Sequence, residues 1–431
     1  MLNRRRFVAS SSTALIAVPF AKILAAGESK NPVRLAVIGV ADRGAENLKG
    51  VAAESIVALC EIDEPRAAAA RKQFPKAQFF TDYRAMLDKV GKDIDAVVVS
   101  TPDHTHAHAT LSAIALGKHV YCEKPLCHTV GEVRHVRKAA AAKKVVTQMG
   151  TQIHAGDNYR RVVEIVQSGK LGAVQRVHVW CSRRPDPGRA MKAPINRLKF
   201  DLDQWLGPVQ EDFFYAGHLN WPHFHWRWWW PFGGGVLADM GCHFTDLPFW
   251  ALDLGSPSAV KATGTELPNA DNTVPQTLRV DYTFPAIKGR GEVKLTWYHG
   301  VPGPDLDGKV RFPGFNDGVL FEGEGGKKLL ANYSSYQLLP GEFAKDFKAP
   351  DATLAKSVGH HREWLDAIRG DGQALCHFGY SGPLTEAVLL GNVAYRAGVE
   401  LKWDAEKGLT DSKEANALLS LEPKKGWEWP V

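Results

Sequence analysis

An apolar strand that runs into a glycine turn is the feature that most constrains the fold of this chain. Residues 33 to 38 are mostly apolar, and residues 39 to 44, which read GVADRG, follow them directly. In a dinucleotide-binding unit the first glycine permits a tight turn, the middle one lets the backbone approach a pyrophosphate, and the last lets helix pack on strand. Gly39 and Gly44 match, whereas Ala41 replaces the middle glycine. The turn alone fits either a nucleotide site or a structural turn.

Strands and helices alternate from residue 33 to residue 149. Apolar strand-like runs at 55–60, 78–80, 94–100, 119–122 and 145–149 are separated by helical stretches. This alternation predicts a doubly wound α/β domain of the Rossmann type, with a parallel sheet, over residues 31–151. From residue 152 to 431 the rhythm changes, and the pattern predicts an α+β domain with a large open, mainly antiparallel sheet.

Polar residues follow the predicted strands at the edge where nucleotides bind in such sheets. Glu61 ends the second strand about 20 residues after Gly39, where a carboxylate accepts hydrogen bonds from adenosine ribose hydroxyls. A carboxylate there repels a 2′-phosphate, so NAD is favoured over NADP. Asp63 either shares this task or caps the next helix. Thr101 and His106 lie in the loop after the fourth long strand and are further candidate cofactor contacts.

Two segments carry titratable side chains at positions suited to a catalytic site, one at a strand end and one on a helix face. Glu123 and Lys124 end a strand of the first domain, at its ligand-binding edge. In the helix that follows three glycines at 233–235, Asp239, His243 and Asp246 fall at i, i+4 and i+7, on one face.

A third segment, residues 147–152, joins the two domains next to any cleft between them. We expect Gln152 and Asp246 to contact substrate, and Glu123 and Lys124 to contact cofactor.

Three segments together resemble the glucose-fructose oxidoreductase, inositol dehydrogenase and rhizopine-catabolism (Gfo/Idh/MocA) family. They are residues 117–125 (GKHVYCEKP), 149–152 (MGTQ) and 233–246 (GGGVLADMGCHFTD). The resemblance covers nearly the whole chain after its first 30 residues. It implies a Rossmann domain, a C-terminal α/β domain with an open sheet, and a homodimer or homotetramer formed through that sheet. It also implies hydride transfer to or from a sugar or cyclitol.

The same resemblance implies that Lys124, Asp239 and His243 are the catalytic residues. Oxidation of a secondary alcohol needs a base for the hydroxyl proton, and a histidine with a pKa near neutrality suits that role. Asp239 is expected to orient the His243 ring, and Lys124 to stabilise the developing alkoxide. Ala41 and the aromatic segment at 218–231 depart from the family pattern.

The aromatic segment contains five tryptophans and three histidines between residues 218 and 230. Tryptophan faces can stack on sugar CH groups, with Arg227 as a polar contact. Tryptophan is equally common in cores and at subunit interfaces. Both interpretations stay open, so no tryptophan is assigned to the site.

The first 27 residues are typical of an export leader. Arg4, Arg5 and Arg6 precede an apolar run from Phe7 to Phe20, which is shorter than the roughly 20 residues of a spanning helix. The arginines indicate a twin-arginine signal, with ordinary basic residues of a secretory signal as the alternative. We therefore expect the twin-arginine machinery to export the folded protein, with cofactor tightly bound, to the periplasm.

Composition argues against several other partners. The net charge of +6 is spread without a dense Lys/Arg block, so nucleic acid is not expected. The six cysteines form no C-x-x-C pair, and the alternating His104, His106 and His108 alone are not a metal site. No metal is predicted.

These features predict an NAD(P)-dependent oxidoreductase that acts on a secondary alcohol of a sugar, sugar derivative or cyclitol. The alternative is a glycosidase, lyase or epimerase that uses tightly bound NAD in a redox-neutral cycle, or a dismutation between two sugars. Export motivates this alternative, because no obvious pool reoxidises NADH outside the cytoplasm. A non-catalytic sugar-binding protein is a third hypothesis, against which Lys124, Asp239 and His243 argue.

Overall fold

The computed structural model describes residues 31–185, 200–210, 223–265, 272–301, 303–304, 312 and 314–430. The expected leader, residues 1–27, lies outside the described residues, as do His218 and Trp221 of the aromatic segment. No helix within the described ranges is long and apolar enough to cross a membrane.

The first domain is a six-stranded parallel sheet in the order β3-β2-β1-β4-β5-β6 with helices on both faces. Its elements are β1 (Arg34–Ile38), α1 (Arg43–Gly50), β2 (Ser55–Cys60), α2 (Ala68–Gln73), β3 (Gln78–Phe80), α3 (Tyr83–Val90), β4 (Ala96–Val99), α4 (Asp103–Ala115), β5 (His119–Cys122), α5 (Val130–Lys143) and β6 (Thr147–Met149). Strands β1 and β4 are central and buried on both faces, which explains their continuous apolar runs. This strand order is that of the doubly wound nucleotide-binding fold, and its crevice opens beyond the ends of β1 and β4.

The second domain is built on a nine-stranded sheet in the order β13-β12-β11-β7-β10-β9-β8-β14-β15. Its elements are α6 (Asp157–Gln167), β7 (Arg176–Cys181), α7 (Leu202–Leu206), α8 (Gly235–Ala251), β8 (Ala259–Thr265), β9 (Thr277–Phe284), β10 (Val293–His299), β11 (Gly318–Glu322), β12 (Lys328–Ala331), β13 (Tyr336–Leu339), α9 (Gly341–Asp346), α10 (His360–Arg369), α11 (Phe378–Ala397), β14 (Leu401–Asp404), β15 (Leu409–Thr410) and α12 (Lys413–Ala417). Among the described strands of this sheet, β7 and β10 are the only pair that runs in parallel. The predicted fold class is confirmed for both domains.

Two details differ from the sequence-based prediction. Helix α4 begins at Asp103, directly after the extended residue Pro102, so His106 lies in this helix and not in the loop that the sequence predicted. Strands β12, β13 and β14 were not predicted. Each has only four residues, too few for a clear alternation of apolar and polar positions.

Helix α10 lies far along the chain but packs on the first domain. Trp364 is fully buried and Leu365 nearly so, in a cluster with Leu35, Val37 and Val98 of the parallel sheet. The predicted domain boundary at residue 151 therefore separates the domains along the sequence, but α10 packs across it. The second domain supplies part of the nucleotide domain's core.

Trp364→Ala is expected to lower the free energy of unfolding by about 3–5 kcal/mol, because it leaves a cavity under the parallel sheet. Urea denaturation of the full chain measures the change. The control is Val358→Ala, a nearby residue that is 65% exposed, for which the change should stay within about 0.5 kcal/mol. Equal unfolding midpoints for the two variants would show that α10 contributes nothing to the core.

Candidate functional site

The glycine turn lies where β1 meets the loop after β4. Gly39 has φ +78°, and a Cβ on it would stand 2.7 Å from the carbonyl oxygen of Ser100. A Cβ on Gly44 would stand 2.0 Å from the carbonyl oxygen of Gly39. Both positions therefore require glycine, whereas Ala41 is half-exposed and faces the cleft. The turn and the start of α1 form a cradle that fits a pyrophosphate.

Glu61 lies at the carboxyl end of β2 and faces the same cleft. Its carboxylate accepts hydrogen bonds from the backbone N–H groups of Val40 (3.1 Å) and Asp63 (3.3 Å). Burial raises the pKa of Glu61, while these two N–H groups oppose the shift. The carboxylate is thus fixed beside the glycine turn, where ribose hydroxyls of a dinucleotide would donate to it.

Thr101 lines this cleft, but His106 does not. The His106 ring is 1% exposed, and its two nitrogens lie 2.8 Å from the carbonyl oxygen of Pro125 and 2.7 Å from that of Thr101. The expectation that His106 contacts cofactor is therefore corrected. Its ring holds together the loops that follow β4 and β5.

Glu123 is nearly buried and lines the cleft. It accepts hydrogen bonds from Arg43 (3.1 Å), Asn47 (2.9 Å) and Gln152 (2.7 Å). A Cβ on Gly150 would lie 2.6 Å from this carboxyl group, so glycine makes the room for it. Burial opposes ionisation, but the charges of Arg43 and Lys124 lower the pKa of Glu123 overall.

The Gln152 amide donates to Glu123 and to the Tyr121 hydroxyl at 2.7 Å, and Gln152 does not line the cleft that starts at the glycine turn. In this structure it supports Glu123, rather than presenting its amide to a substrate. The structure thus assigns Gln152 a positioning contact that differs from the expected substrate contact.

Lys124 and Asp239 meet across the two domains. The Lys124 ammonium, at the end of β5, lies 2.7 Å from Asp239 Oδ1 and 2.5 Å from the Asp239 carbonyl oxygen on α8. Arg183 and Arg227 also approach the carboxylate, at 3.3 and 3.4 Å. Burial opposes its ionisation, yet the surrounding cations hold the pKa of Asp239 far below its usual range. Asp239 is therefore ionised at neutral pH.

His243 lies one turn after Asp239 on α8, but Asp239 does not orient it. The hydrogen bonds of Asp239 go to the three cations, and the buried His243 Nδ1 has no partner within the described ranges. Burial and the Lys124 charge lower the pKa of His243 to about 3. The expectation of a near-neutral pKa is therefore corrected: the imidazole is neutral and weakly basic.

Asp246 is not a substrate contact in this structure. Its carboxylate is 0% exposed, lies 3.0 Å from His154 Nδ1 and accepts a 2.7 Å hydrogen bond from the Tyr380 hydroxyl. A ring nitrogen of His154, a carboxylate oxygen of Asp246 and the sulfur of Cys376 all lie within 4.8 Å of one another. All three are atoms that can bind a metal ion. The carboxylate already has two protein partners, so its role here is to fix α8.

One cleft joins the glycine turn to Lys124 and Asp239 and encloses about 1280 Å³, part of it open to solvent. Residues from outside the first domain cover it: Phe200, Gln204, Trp205, His223, Trp226, Arg227 and Trp427. Trp228 and Trp229 of the aromatic segment are instead buried in the core. Core packing therefore holds for Trp228 and Trp229, whereas sugar stacking stays a prediction for Trp226, which lines the cleft.

Two cleft residues, Asp103 and Trp427, were missed from the sequence, as was Arg183, which approaches Asp239. Asp103, the first residue of α4, is 5% exposed, and burial raises its pKa to about 8. Asp103 directly follows a predicted strand and Pro102, and this position could have identified it from the sequence. Arg183 follows β7 and Trp427 lies four residues from the C-terminus, and no local pattern marks either one.

Comparison with known protein families agrees with this geometry. Residues 33–151 match the profile described as "Oxidoreductase family, NAD-binding Rossmann fold" of Gfo/Idh/MocA proteins. Residues 166–287 match the profile of the C-terminal alpha/beta domain of the same family.

Among individual proteins, the chain is similar to inositol 2-dehydrogenase 1 of Saccharopolyspora erythraea, with 31% identity over 40% of this chain and 54% of that protein. It is also similar to inositol 2-dehydrogenase of Salmonella typhimurium, with 27% identity over 34% of this chain and 45% of that protein. The matches span about half the length of these relatives.

Solved structures share the fold at low identity. An inositol dehydrogenase homolog from Azotobacter vinelandii, complexed with NADH and myo-inositol, has a TM-score of 0.58 and 17% identity over 88% of this chain and 99% of that one. The WlbA dehydrogenase from Bordetella pertussis, in complex with NADH and UDP-GlcNAcA, has a TM-score of 0.60 and 15% identity over 87% and 99% of the two chains. With both domains matched and the Rossmann order observed, the chain belongs to the Gfo/Idh/MocA family of oxidoreductases.

Proposed function

We propose that this chain is an NAD-dependent dehydrogenase that oxidises a secondary alcohol of a sugar or cyclitol. The observation behind it is the Lys124 ammonium, which Asp239 holds at 2.7 Å in the same cleft as the glycine turn. Similar proteins are inositol 2-dehydrogenases, and a structure with this fold binds NADH and myo-inositol.

In this proposal Lys124, His243 and Asp239 each have a separate role. Lys124 donates a hydrogen bond to the substrate oxygen, and its charge stabilises the alkoxide that develops there. His243 is the proposed acceptor of the hydroxyl proton, since its ring is neutral and its Nδ1 has no partner among the described residues, although the ring does not line the cleft in this structure. Asp239 fixes the position of the ammonium. Bound NAD supplies the acceptor for the hydride.

The finer cofactor proposal is NAD over NADP. The Glu61 carboxylate faces the cleft beside the turn, where a 2′-phosphate would meet a like charge. Arg66, which could attract such a phosphate, is paired with Asp42.

We also propose that the cofactor is retained. Phe200, Trp205 and Trp427 cover the cleft from outside the nucleotide domain, and His223 lies 3.2 Å from Asp63 across it. Retention agrees with export by the twin-arginine route to the periplasm, which we likewise propose, together with a homodimer or homotetramer. The experiments below distinguish net oxidation of the substrate from a redox-neutral cycle on bound NAD.

Lys124→Gln and His243→Asn are each expected to lower kcat for sugar or cyclitol oxidation by about 10²–10⁴-fold, because one removes the oxyanion donor and the other the base. NADH formation at 340 nm measures the loss, on a panel of hexoses, hexuronates and inositols. Bound NAD, quantified after denaturation, should stay unchanged.

Lys92→Gln, an exposed lysine of the same domain, is the control and should keep full activity. Near-wild-type rates for the Lys124 and His243 variants would remove both from the reaction. Release of aryl groups from glycosides, with no net NADH, would favour the redox-neutral alternative instead.

Protonation of His243 is expected to cause no fall in the reaction rate between pH 8 and pH 5. A lowered histidine pKa means that the basic form is populated at every pH above about 3, and is lost only as the pH falls through that value. The measurement is kcat/KM against pH, which reports groups of the free enzyme. An acid inflection near pH 6.5 that disappears in His243→Asn would contradict the burial of this ring.

Trp427→Ala is expected to weaken NAD retention about 10-fold, equivalent to about 1.4 kcal/mol, because it opens one wall of the cleft. Dialysis followed by cofactor quantification measures it. Trp429→Ala is the matched control, since Trp429 lies two residues away and does not line the cleft. Equal loss in both variants would assign the effect to general loosening of the C-terminal tail.

A further inference from the structure

Three cations gather around one carboxylate at the inner end of the cleft. Lys124, Arg183 and Arg227 all approach the single carboxylate of Asp239, at 2.7, 3.3 and 3.4 Å. One anion balances one of these three cations. Among the described side chains, neither arginine has a second ion pair.

The other titratable groups nearby do not supply the missing negative charge. Glu123 is paired with Arg43 at 3.1 Å. Asp103 faces the same cleft, but burial raises its pKa to about 8, so it is largely protonated at neutral pH. His243 is neutral there. Among the described side chains, three cations therefore share the one carboxylate of Asp239, which leaves an excess of positive charge around it.

The two guanidinium groups are also placed to bind a ligand. Arg227 stacks against the rings of Trp226 and Phe224, at 4.3 and 4.8 Å, and donates to the Phe224 carbonyl oxygen at 3.1 Å. Its orientation is therefore fixed. The Arg183 side chain is 54% exposed, so the described residues leave part of it uncovered beside Asp239.

We infer that the substrate is an anionic sugar, and that Arg183 and Arg227 bind its carboxylate next to the hydroxyl that Lys124 contacts. The inference rests on the proposed dehydrogenase function and narrows its substrate class to uronic or aldonic acids. The guanidinium fork matches a carboxylate with two parallel hydrogen bonds. A neutral sugar would leave both arginines sharing the Asp239 carboxylate with Lys124, with no further anion to pair with them.

The test compares kcat/KM for D-glucuronate and D-glucose, with D-gluconate, glucose 6-phosphate and myo-inositol as further probes. The holoenzyme should favour the hexuronate by about 10- to 100-fold. Arg183→Gln and Arg227→Gln should each lower this ratio about 10-fold, mainly through KM for the hexuronate. A general loss of activity that follows from disturbing Asp239 lowers kcat/KM for both substrates, so it does not change their ratio.

Arg184→Gln is the matched control, because Arg184 donates to the Gly300 carbonyl oxygen and does not reach Asp239. Its ratio should equal that of the wild type. Equal or better turnover of neutral sugars by the wild type, or an unchanged ratio in both variants, would overturn the inference. A preference for glucose 6-phosphate over the hexuronate would also overturn the carboxylate assignment.

Failure of the proposed function has a different signature. If no sugar or cyclitol, charged or neutral, changes the absorbance of the nicotinamide, the dehydrogenase proposal itself is wrong. Calorimetric binding of glucuronate to the wild type and to Arg183→Gln then still tests the anion site. Equal binding to the two proteins would overturn it.

Discussion

The contact between Lys124 and Asp239 is the interaction on which the site depends. Lysine ends a strand of the nucleotide domain and aspartate lies on a helix of the second domain, so the 2.7 Å contact also aligns the two domains. Both side chains are nearly buried, and removing either one would leave a poorly solvated charge. The pair therefore positions the cation at which a substrate oxygen is expected.

Several residues expected to touch ligands instead hold this arrangement in place. His106 joins the two loops at the mouth of the parallel sheet, and Gln152 supports Glu123. Asp246 fixes α8 through His154 and Tyr380. The physical reason is common to all three: a buried polar group must find a protein partner, and these groups lie one layer behind the cleft.

Much of the fold was predictable because its signals are local. Continuous apolar runs indicated β1 and β4, and the steric need for Gly39 and Gly44 explains why the turn retains them. Strand ends and helix spacing, together with the family resemblance, singled out Lys124 and Asp239, which the structure brings into contact; their catalytic roles stay a proposal. Short strands such as β12 and β13 could not, since four residues carry too little pattern.

By itself, the sequence determined the order of elements, the nucleotide cradle and the face of α8 that carries Asp239 and His243. Tertiary structure alone decided which charges gather at Asp239 and how strongly they act. Arg183 and Arg227 come from distant segments, and burial lowers the pKa of His243 and raises that of Asp103. Charge and solvent exclusion depend on three-dimensional distance, which no local pattern of residues contains.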